Sequence, residues 1–393
     1  MTDIVLVSAA RTAVGDFGGS LAGLTPTELG VFSAKAAIAR AGIDASAVEH
    51  AFYGNVLHTE PRDMYLSRTI ALGAGLNDSA PALTVNRLCG SGLQAIVSGI
   101  QTLLLGDADI VMAGGSESMS RAGHLMSSAR FGKKMGDVSA VDMMVAALHD
   151  PFGHGHMGIT AENVAEKYKI SRENQDAFAV ESHRRAAAAI EAGHFADQIV
   201  PVKLASRKGE TLFDTDEHVR AGANLEDMAK LRAAFKKDGV VTAGNASGIN
   251  DGAASVILMT AKAAKARGVQ PLAHVMSYGH AGVDPRFMGM GPVPAMEKAL
   301  ANAGLKVGDL DVVESNEAFA AQACAVTQQL GLDPARVNPN GGAVAIGHPI
   351  GASGAIITTK LVYEMQRTGA KYGAATMCIG GGQGIALILE NAA

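Results

Sequence analysis

The 393-residue sequence contains no tryptophan, and 11 Phe and 6 Tyr are its only benzenoid side chains. Lys and Arg number 33 against 38 Asp and Glu, a net charge of −5. Nucleic-acid binding needs a basic footprint and commonly stacking faces, and this composition has neither. Cysteine is scarce too. Cys89, Cys324 and Cys378 are an odd number of widely separated thiols, which is no disulfide framework and fits a reduced, cytoplasmic setting. Long apolar runs are missing. The stretch from Leu93 to Gly115 is broken by Gln94, Ser98, Gln101, Asp107 and Asp109, so no membrane span is expected. Nothing like a secretory or transit leader precedes the strand-like run Ile4-Val5-Leu6-Val7, and the last residues, Glu390 to Ala393, match no retention or peroxisomal signal.

Glycine is abundant instead, at 47 residues, about 12% of the chain where about 7% is usual. There is no Gly-X-Y period, and 48% apolar residues exclude a collagen-like or disordered chain. The length leaves room for two or three domains with sizeable cores. The two ends resemble each other. The segment from Lys35 to Ile43 reads like that from Glu297 to Leu305, with Ala41 and Ala303 standing 262 residues apart. At the same spacing Gly90-Ser91-Gly92 falls on Ala352-Ser353-Gly354. The run from Val111 to Gly115 faces Thr376 to Gly381 with a drift of a few residues. A duplicated domain is expected, chance likeness of Ala/Gly-rich helices being the alternative.

Each half reads as alternating strands and helices, hence an α/β fold with both sheet faces covered. Thr25-Pro26-Thr27-Glu28 is a capping box that opens a helix ended by Gly42. Strands are expected over 51–56, 83–86 and 109–113, and again over 272–278, 311–314, 374–379 and 384–389. Between the halves, roughly 120–245, the texture changes to Met-rich stretches, a polar helix from Ser171 to Gly193, and charged loops. From Arg184 to Lys237 there are ten Lys or Arg and eight Asp or Glu. That local basic excess would suit an anionic ligand or a solvated face.

Two patterns mislead. Gly153-His154-Gly155-His156-Met157-Gly158 satisfies G-x-G-x-x-G but follows no strand, so it is read as a loop beside a pocket. His149, His154 and His156 lack the company of a metal-binding motif, and no metal site is expected. Cys324 and the pair Met143-Met144 are read as packing.

Cys89 lies where a strand gives way, through Gly90-Ser91-Gly92, to a helix. A thiol at a helix N-terminus is favoured as thiolate and suits a nucleophile, although free cysteines also pack inertly in cores. His348, within the glycine-rich run from Asn340 to Gly354, stands 262 residues beyond Asn86. If the halves pack about a pseudo-twofold axis, its loop could meet that of Cys89, giving a Cys activated by a His. Cys378 ends another strand before Gly380-Gly381-Gly382, whose N–H groups could receive an oxyanion, and Asn316 offers a polar tip after the strand at 311–314. Twenty of the 47 glycines fall in seven short patches, most of them on these loops.

Four motifs carry a close resemblance. Asn86-Arg87-Leu88-Cys89-Gly90-Ser91-Gly92, Asn316-Glu317-Ala318-Phe319, Gly341 to Gly354 with Gly347-His348-Pro349, and Cys378-Ile379-Gly380-Gly381-Gly382 resemble the signatures of thiolases. The biosynthetic acetyl-CoA acetyltransferases are the nearest type, particularly bacterial β-ketothiolases of polyhydroxyalkanoate synthesis. The likeness runs over essentially the whole chain. It implies duplicated α/β domains layered αβαβα: an N-terminal half of 1–119 and 246–268, a loop domain of 120–245, and a C-terminal half of 269–393. It implies reversible Claisen condensation of acetyl-CoA with acetyl-CoA or propionyl-CoA, no bound cofactor, and coenzyme A and short acyl-CoA as substrates. Cys89 would be acylated, His348 would take its proton, and Cys378 would exchange a proton with C2. Asn316 would hold a water that, with His348, stabilises the enolate, and the backbones of Cys89 and Gly380 would form the second oxyanion hole.

The resemblance also implies coenzyme A contacts at His156, Met157, Arg220, Phe235 and Ser247, and an acyl pocket walled by Met288, Ala318 and Phe319. Asp227 stands where related enzymes often carry Ser. The stretch Thr59 to Leu66 looks like that of members which also handle 3-ketovaleryl-CoA. A homotetramer is implied, with 120–145 as a contact. Two other readings are a ketoacyl-synthase-like condensing enzyme, against which Cys378 speaks, and a non-catalytic thiolase-like protein binding lipid or a partner.

Overall fold

The computed structural model describes residues 3–206 and 209–392. Its centre is a ten-stranded mixed sheet. Numbered along the chain, the strands of this sheet are β1 (Ile4–Arg11), β2 (Gly15–Asp16), β3 (His50–Gly54), β4 (Ala82–Val85), β5 (Ile110–Ser118), β6 (Asn250–Thr260), β7 (Ala273–Gly282), β8 (Val312–Ser315), β9 (Tyr372–Ile379) and β10 (Gln383–Asn391). They run in the order β8-β9-β10-β7-β1-β6-β5-β3-β4, with β2 beside β6. The two halves join where β1 pairs with β7, at Val5 with His274 and Leu6 with Ala273.

The principal helices are α1 (Pro26–Ala41), α2 (Leu66–Ala74), α3 (Ser91–Leu105), α4 (Met157–Tyr168), α5 (Arg172–Glu191), α6 (Pro292–Ala303), α7 (Ala320–Leu330) and α8 (Ser353–Thr368). The central strands β1, β5, β6, β9 and β10 are buried on both faces, so alternate side chains serve different cores. On β5, Val111 and Ala113 face α3 and α8, whereas Ile110 and Met112 face α1 and α2. On β9, Met377 and Ile379 join the same central core, whereas Ala374 and Cys378 face α6 and α7. The layers are therefore α1/α2, sheet, α3/α8, sheet, α6/α7, which is the expected αβαβα order. The segment Leu88–Leu105 is apolar enough in length and composition to cross a membrane. Here α3 turns that apolar surface to the central core it shares with α8.

The repeat is visible in the elements. β3 and β8, β5 and β9, and α3 and α8 begin 262 residues apart or nearly so. The drift expected over Val111–Gly115 is absent: at that spacing Gly114 corresponds to Thr376, not to Gly380. α3 and α8 touch backbone to backbone. A Cβ on Gly92 would lie 2.8 Å from the Ala355 nitrogen, and one on Gly354 only 2.2 Å from the Leu93 nitrogen. These two glycines let the N-termini of the twin helices, and the loops before them, meet at the centre of the molecule.

Local signals explain the helix limits. Thr25 and Glu28 form the reciprocal cap of α1, Gly42 closes it at φ 65°, and Ser171 with Asn174 caps α5. Expected strands fall within a few residues of their places except β5, which continues from the expected Ala113 to Ser118, whereas β2 and the eleven-residue β6 are additions to the expected set. The charged loops expected after Gly193 are in part a hairpin, Val202–Ser206 with Gly209–Phe213. This segment is clamped to the sheet by Arg11, whose guanidinium makes a fully buried bidentate pair with Asp216 at 2.7 and 2.9 Å.

Candidate active site

β4 ends at Val85 and the chain turns sharply before α3. Ser91 Oγ accepts from the Arg87 N–H at 2.8 Å and donates to the Leu88 carbonyl at 2.6 Å. Asn86 Oδ1 accepts from the Leu88 N–H at 3.0 Å. These bonds hold Leu88 at φ +47°, a left-handed conformation that costs a branched residue about 1 kcal/mol or more. The strain presents Cys89 at the apex, half-buried against Leu57, Met119 and Ile350.

Helix α3 begins only at Ser91, two residues after the thiol. The expectation that position favours thiolate is overturned by burial, which pushes the Cys89 thiol up to about 11. The N–H groups of Gly380 and of Cys89 itself point at the sulfur and oppose that rise without cancelling it. Cys89 is therefore a neutral thiol at rest.

His348 follows Gly347, whose φ of +111° and contact with Asn250 (a Cβ would lie 2.4 Å from its carboxamide carbon) admit only glycine. The His348 N–H donates to Asn250 Oδ1 at 2.9 Å. Ser353 Oγ gives its only proton to the Pro349 carbonyl at 2.9 Å, so at 2.6 Å it must accept from His348 Nδ1. This assigns the tautomer. Nε2 carries the free lone pair and has no partner among the described residues. Burial pushes the imidazole down to about 4, so it is a neutral base.

Cys89, His348 and Gly380 line one cleft of about 500 Å³. Cys378, at the end of β9, lies buried behind it; burial first, and then nearby Cys89, push its thiol up. Asn316, just after β8, is also buried, and neither end of its carboxamide has a partner among the described residues. It is fixed from behind. The Asn316 N–H donates to Thr376 O at 2.9 Å, while neighbouring Glu317 accepts from Ser182 Oγ, Asn338 Nδ2 and the Val344 N–H.

The outer cleft holds all eight expected coenzyme A and acyl contacts: His156, Met157, Arg220, Phe235, Ser247, Met288, Ala318 and Phe319. His156 caps α4 by accepting from the Gly158 N–H at 3.0 Å, and its ring stacks on Phe235 at 4.6 Å. Phe235 in turn meets Phe319 edge to face at 6.1 Å, which makes one continuous aromatic wall. Burial and neighbouring His149 hold His156 below its ordinary value. The guanidinium of Arg220 has no carboxylate partner among the described residues and is free for an anion.

A second hollow adjoins the first through Arg220 and His218, and Asp227 lines it. Lys230 and Asn224 bind the Asp227 carboxylate, both at the surface, so the extra anion is already paired. His149 bonds the Val145 carbonyl at the surface, and His154 donates its N–H to Asp150. Among the described residues no three His, Cys, Asp or Glu side chains gather as a metal site. Cys324 lies half-buried on α7, outside this cleft, its thiol pushed up to about 12 by burial.

Sequence reasoning overlooked Asn250, Ser353, Asp16 and His218. Asp16 pairs with His218 Nδ1 and also accepts from Asn250 Nδ2 at 3.3 Å, so the mouth of the cleft connects to the residue that holds His348. Asp16 and Asn250 meet only because β2 lies beside β6.

A family model described as the thiolase N-terminal domain matches residues 4–262, and one for the thiolase C-terminal domain matches 269–391. The chain is 61% identical over 390 residues to a β-ketothiolase of Cupriavidus necator, covering 99% of both chains. It is 56% identical to an acetyl-CoA acetyltransferase of Paracoccus denitrificans, covering both in full. Human mitochondrial 3-ketoacyl-CoA thiolase, solved also in complex with CoA, superposes with a TM-score of 0.98 at 45% identity, over 100% of this chain and 99% of that one.

Proposed function

This chain belongs to the thiolase family, and from that premise we propose that it is an acetyl-CoA C-acetyltransferase of the β-ketothiolase kind. The observation that carries the reading is a neutral imidazole, its Nε2 lone pair free, in the same cleft as a neutral thiol, with a second thiol behind them.

In the first half-reaction the Cys89 proton passes to His348 Nε2 and the sulfur attacks the thioester carbonyl of acetyl-CoA. The N–H groups of Cys89 and Gly380 receive the developing oxyanion. The C–S bond to coenzyme A breaks, and its thiolate takes the proton from His348. In the second, the Cys378 proton passes to His348 Nε2, and the resulting thiolate removes a proton from C2 of a second acyl-CoA whose enolate oxygen lies near the protonated imidazole and a water on Asn316. The enolate carbon attacks acetyl-Cys89, forming the new C–C bond. The Cys89 thiolate leaves and takes the proton back from His348, which restores both thiols and the neutral imidazole. Thiolysis runs the same steps backwards. Separating acyl transfer from condensation through a thioester is nucleophilic catalysis with ping-pong kinetics.

Coenzyme A lies along His156, Phe235 and Ser247 with its anionic groups toward Arg220. The 3-ketoacyl chain meets Met288, Ala318 and Phe319. Acceptance of a five-carbon chain is supported by the thioether side of this pocket, since Met adapts its shape at little cost. Thiolysis of acetoacetyl-CoA and 3-ketovaleryl-CoA is expected at specificity constants within about 200-fold, as one methylene in an apolar pocket contributes only about 1–3 kcal/mol. Steady-state kinetics with both substrates checks this; no turnover of either would overturn the assignment.

A homotetramer is the assembly this reading favours. Among the described residues, Leu125, Phe131, Met135 and Val141 form an exposed apolar run with Phe131 93% accessible, more apolar surface than a monomer would ordinarily leave in water. Light scattering is expected to give four times the 40.2 kDa chain mass, and a monomer would refute the proposal.

A further inference from the structure

Glu117 is fully buried near the end of β5, and no Lys or Arg pairs with it among the described residues. Four donors surround its carboxylate. Oε1 accepts from Asn55 Nδ2 at 3.0 Å and the Leu57 N–H at 3.1 Å. Oε2 accepts from the Val56 N–H at 3.0 Å and the Gly351 N–H at 2.9 Å. Val56 and Leu57 belong to the loop after β3, whereas Gly351 lies three residues beyond His348. The strap is tight. A Cβ on Gly351 would lie 2.5 Å from Glu117 Oε2, and one on Gly115 would lie 2.2 Å from the Gly351 carbonyl. Leu57, Met119 and Ile350, which flank the strapped atoms, are the side chains on which Cys89 rests.

We propose that Glu117 is a positioning residue of this site: its carboxylate fastens the 55–57 loop to the 349–352 loop beneath Cys89, and its buried charge adds to the burial that keeps the sulfur protonated until His348 accepts the proton. The proposal rests on the reading of Cys89 as nucleophile. All four bonds are donated to the carboxylate, which is the pattern of the ionised form; burial and nearby Asp63 push its pKa up to about 8, so its charge is full over the higher range in which Cys89 ionises. A resting thiolate–imidazolium pair would place a second anion beside Glu117. The proton therefore moves only when negative charge can pass on to the thioester oxygen between the Cys89 and Gly380 N–H groups. The titratable groups facing Glu117 are Asp63 and Cys89; those facing Cys89 are Glu117, Cys378 and His348.

The test compares wild type, Glu117→Gln and Glu117→Asp by thiolysis kinetics and by the pH profile of iodoacetamide alkylation, with the Cys89 peptide followed by mass spectrometry. Glu117→Gln turns one oxygen into an amide that faces two N–H donors. Its kcat is expected to fall about 10²-fold, the effect of a small displacement of reacting groups, with KM nearly unchanged. Its alkylation midpoint should move down by a few tenths of a pH unit, as removal of the neighbouring anion, the least of the causes that shift the thiol, requires. Glu117→Asp keeps the charge on a shorter stem, so kcat falls while the midpoint stays. An unmoved midpoint in Glu117→Gln, or wild-type kcat in either variant, overturns the proposal; if Glu117→Gln does not fold, the kcat of Glu117→Asp still decides. Wild-type enzyme stoichiometrically alkylated at Cys89 yet fully active would instead refute the reading of Cys89.

Discussion

Replacing Cys89 by alanine is expected to lower acetoacetyl-CoA thiolysis by at least about 10⁴-fold, the scale on which loss of a covalent nucleophile acts. The melting temperature should stay close to wild type. The side chain is half-buried, so truncating it removes little packed surface, and the turn that strains Leu88 is held by Asn86 and Ser91 rather than by the sulfur. Cys89→Ser should fare scarcely better. A neutral imidazole pushed down to about 4 is a weak base, adequate for a thiol but poorly matched to an alcohol that ionises far less readily. The pH dependence has a definite sign. With Cys89 pushed up to about 11 and His348 down to about 4, the resting pair is neutral throughout the intervening range. Alkylation of the free enzyme should therefore keep rising above pH 10, where an ordinary thiol levels off. Undiminished thiolysis in Cys89→Ala sinks the mechanism, and an alkylation curve saturating below pH 7 refutes the neutral resting state.

The parts of this site that the sequence discloses are those carried by contiguous residues. Gly90-Ser91-Gly92 and Gly347-His348-Pro349 announce turns, and the spacing of 262 places their loops on twin helices. Their meeting follows from Gly92 and Gly354, the two points where α3 and α8 touch without side chains between them. What stays hidden is long-range and electrostatic. Asn250 orients His348 from 98 residues away, and Glu117 reaches Gly351 across 234. Neither carries a local pattern that distinguishes it from a surface Asn or Glu. The protonation state of Cys89 is likewise hidden. A position near a helix start argues for thiolate, and only the depth of burial, which no run of residues encodes, decides the opposite. The insertion between β5 and β6 misleads for a related reason. Its charge suggests solvated loops, yet Asp216 is drawn inside by Arg11, a partner more than 200 residues earlier.

Removal of the second sulfur should separate the two half-reactions. Cys378→Ala is expected to lower thiolysis and condensation by about 10³-fold, within the range for loss of a general acid–base group. Exchange between acetyl-CoA and labelled coenzyme A, which needs only acylation and deacylation of Cys89, should persist within about tenfold of wild type. The geometry requires this asymmetry. Cys89 and His348 share the cleft and contain everything acyl transfer uses, whereas Cys378 lies behind them at the end of β9 and serves only the carbon that loses a proton. Solvent deuterium should correspondingly cease to enter C2 of acetyl-CoA in the variant. If exchange and thiolysis fall together by the same factor, Cys378 is not a separate proton carrier but part of the support for Cys89, and the division of labour between the two sulfurs is wrong.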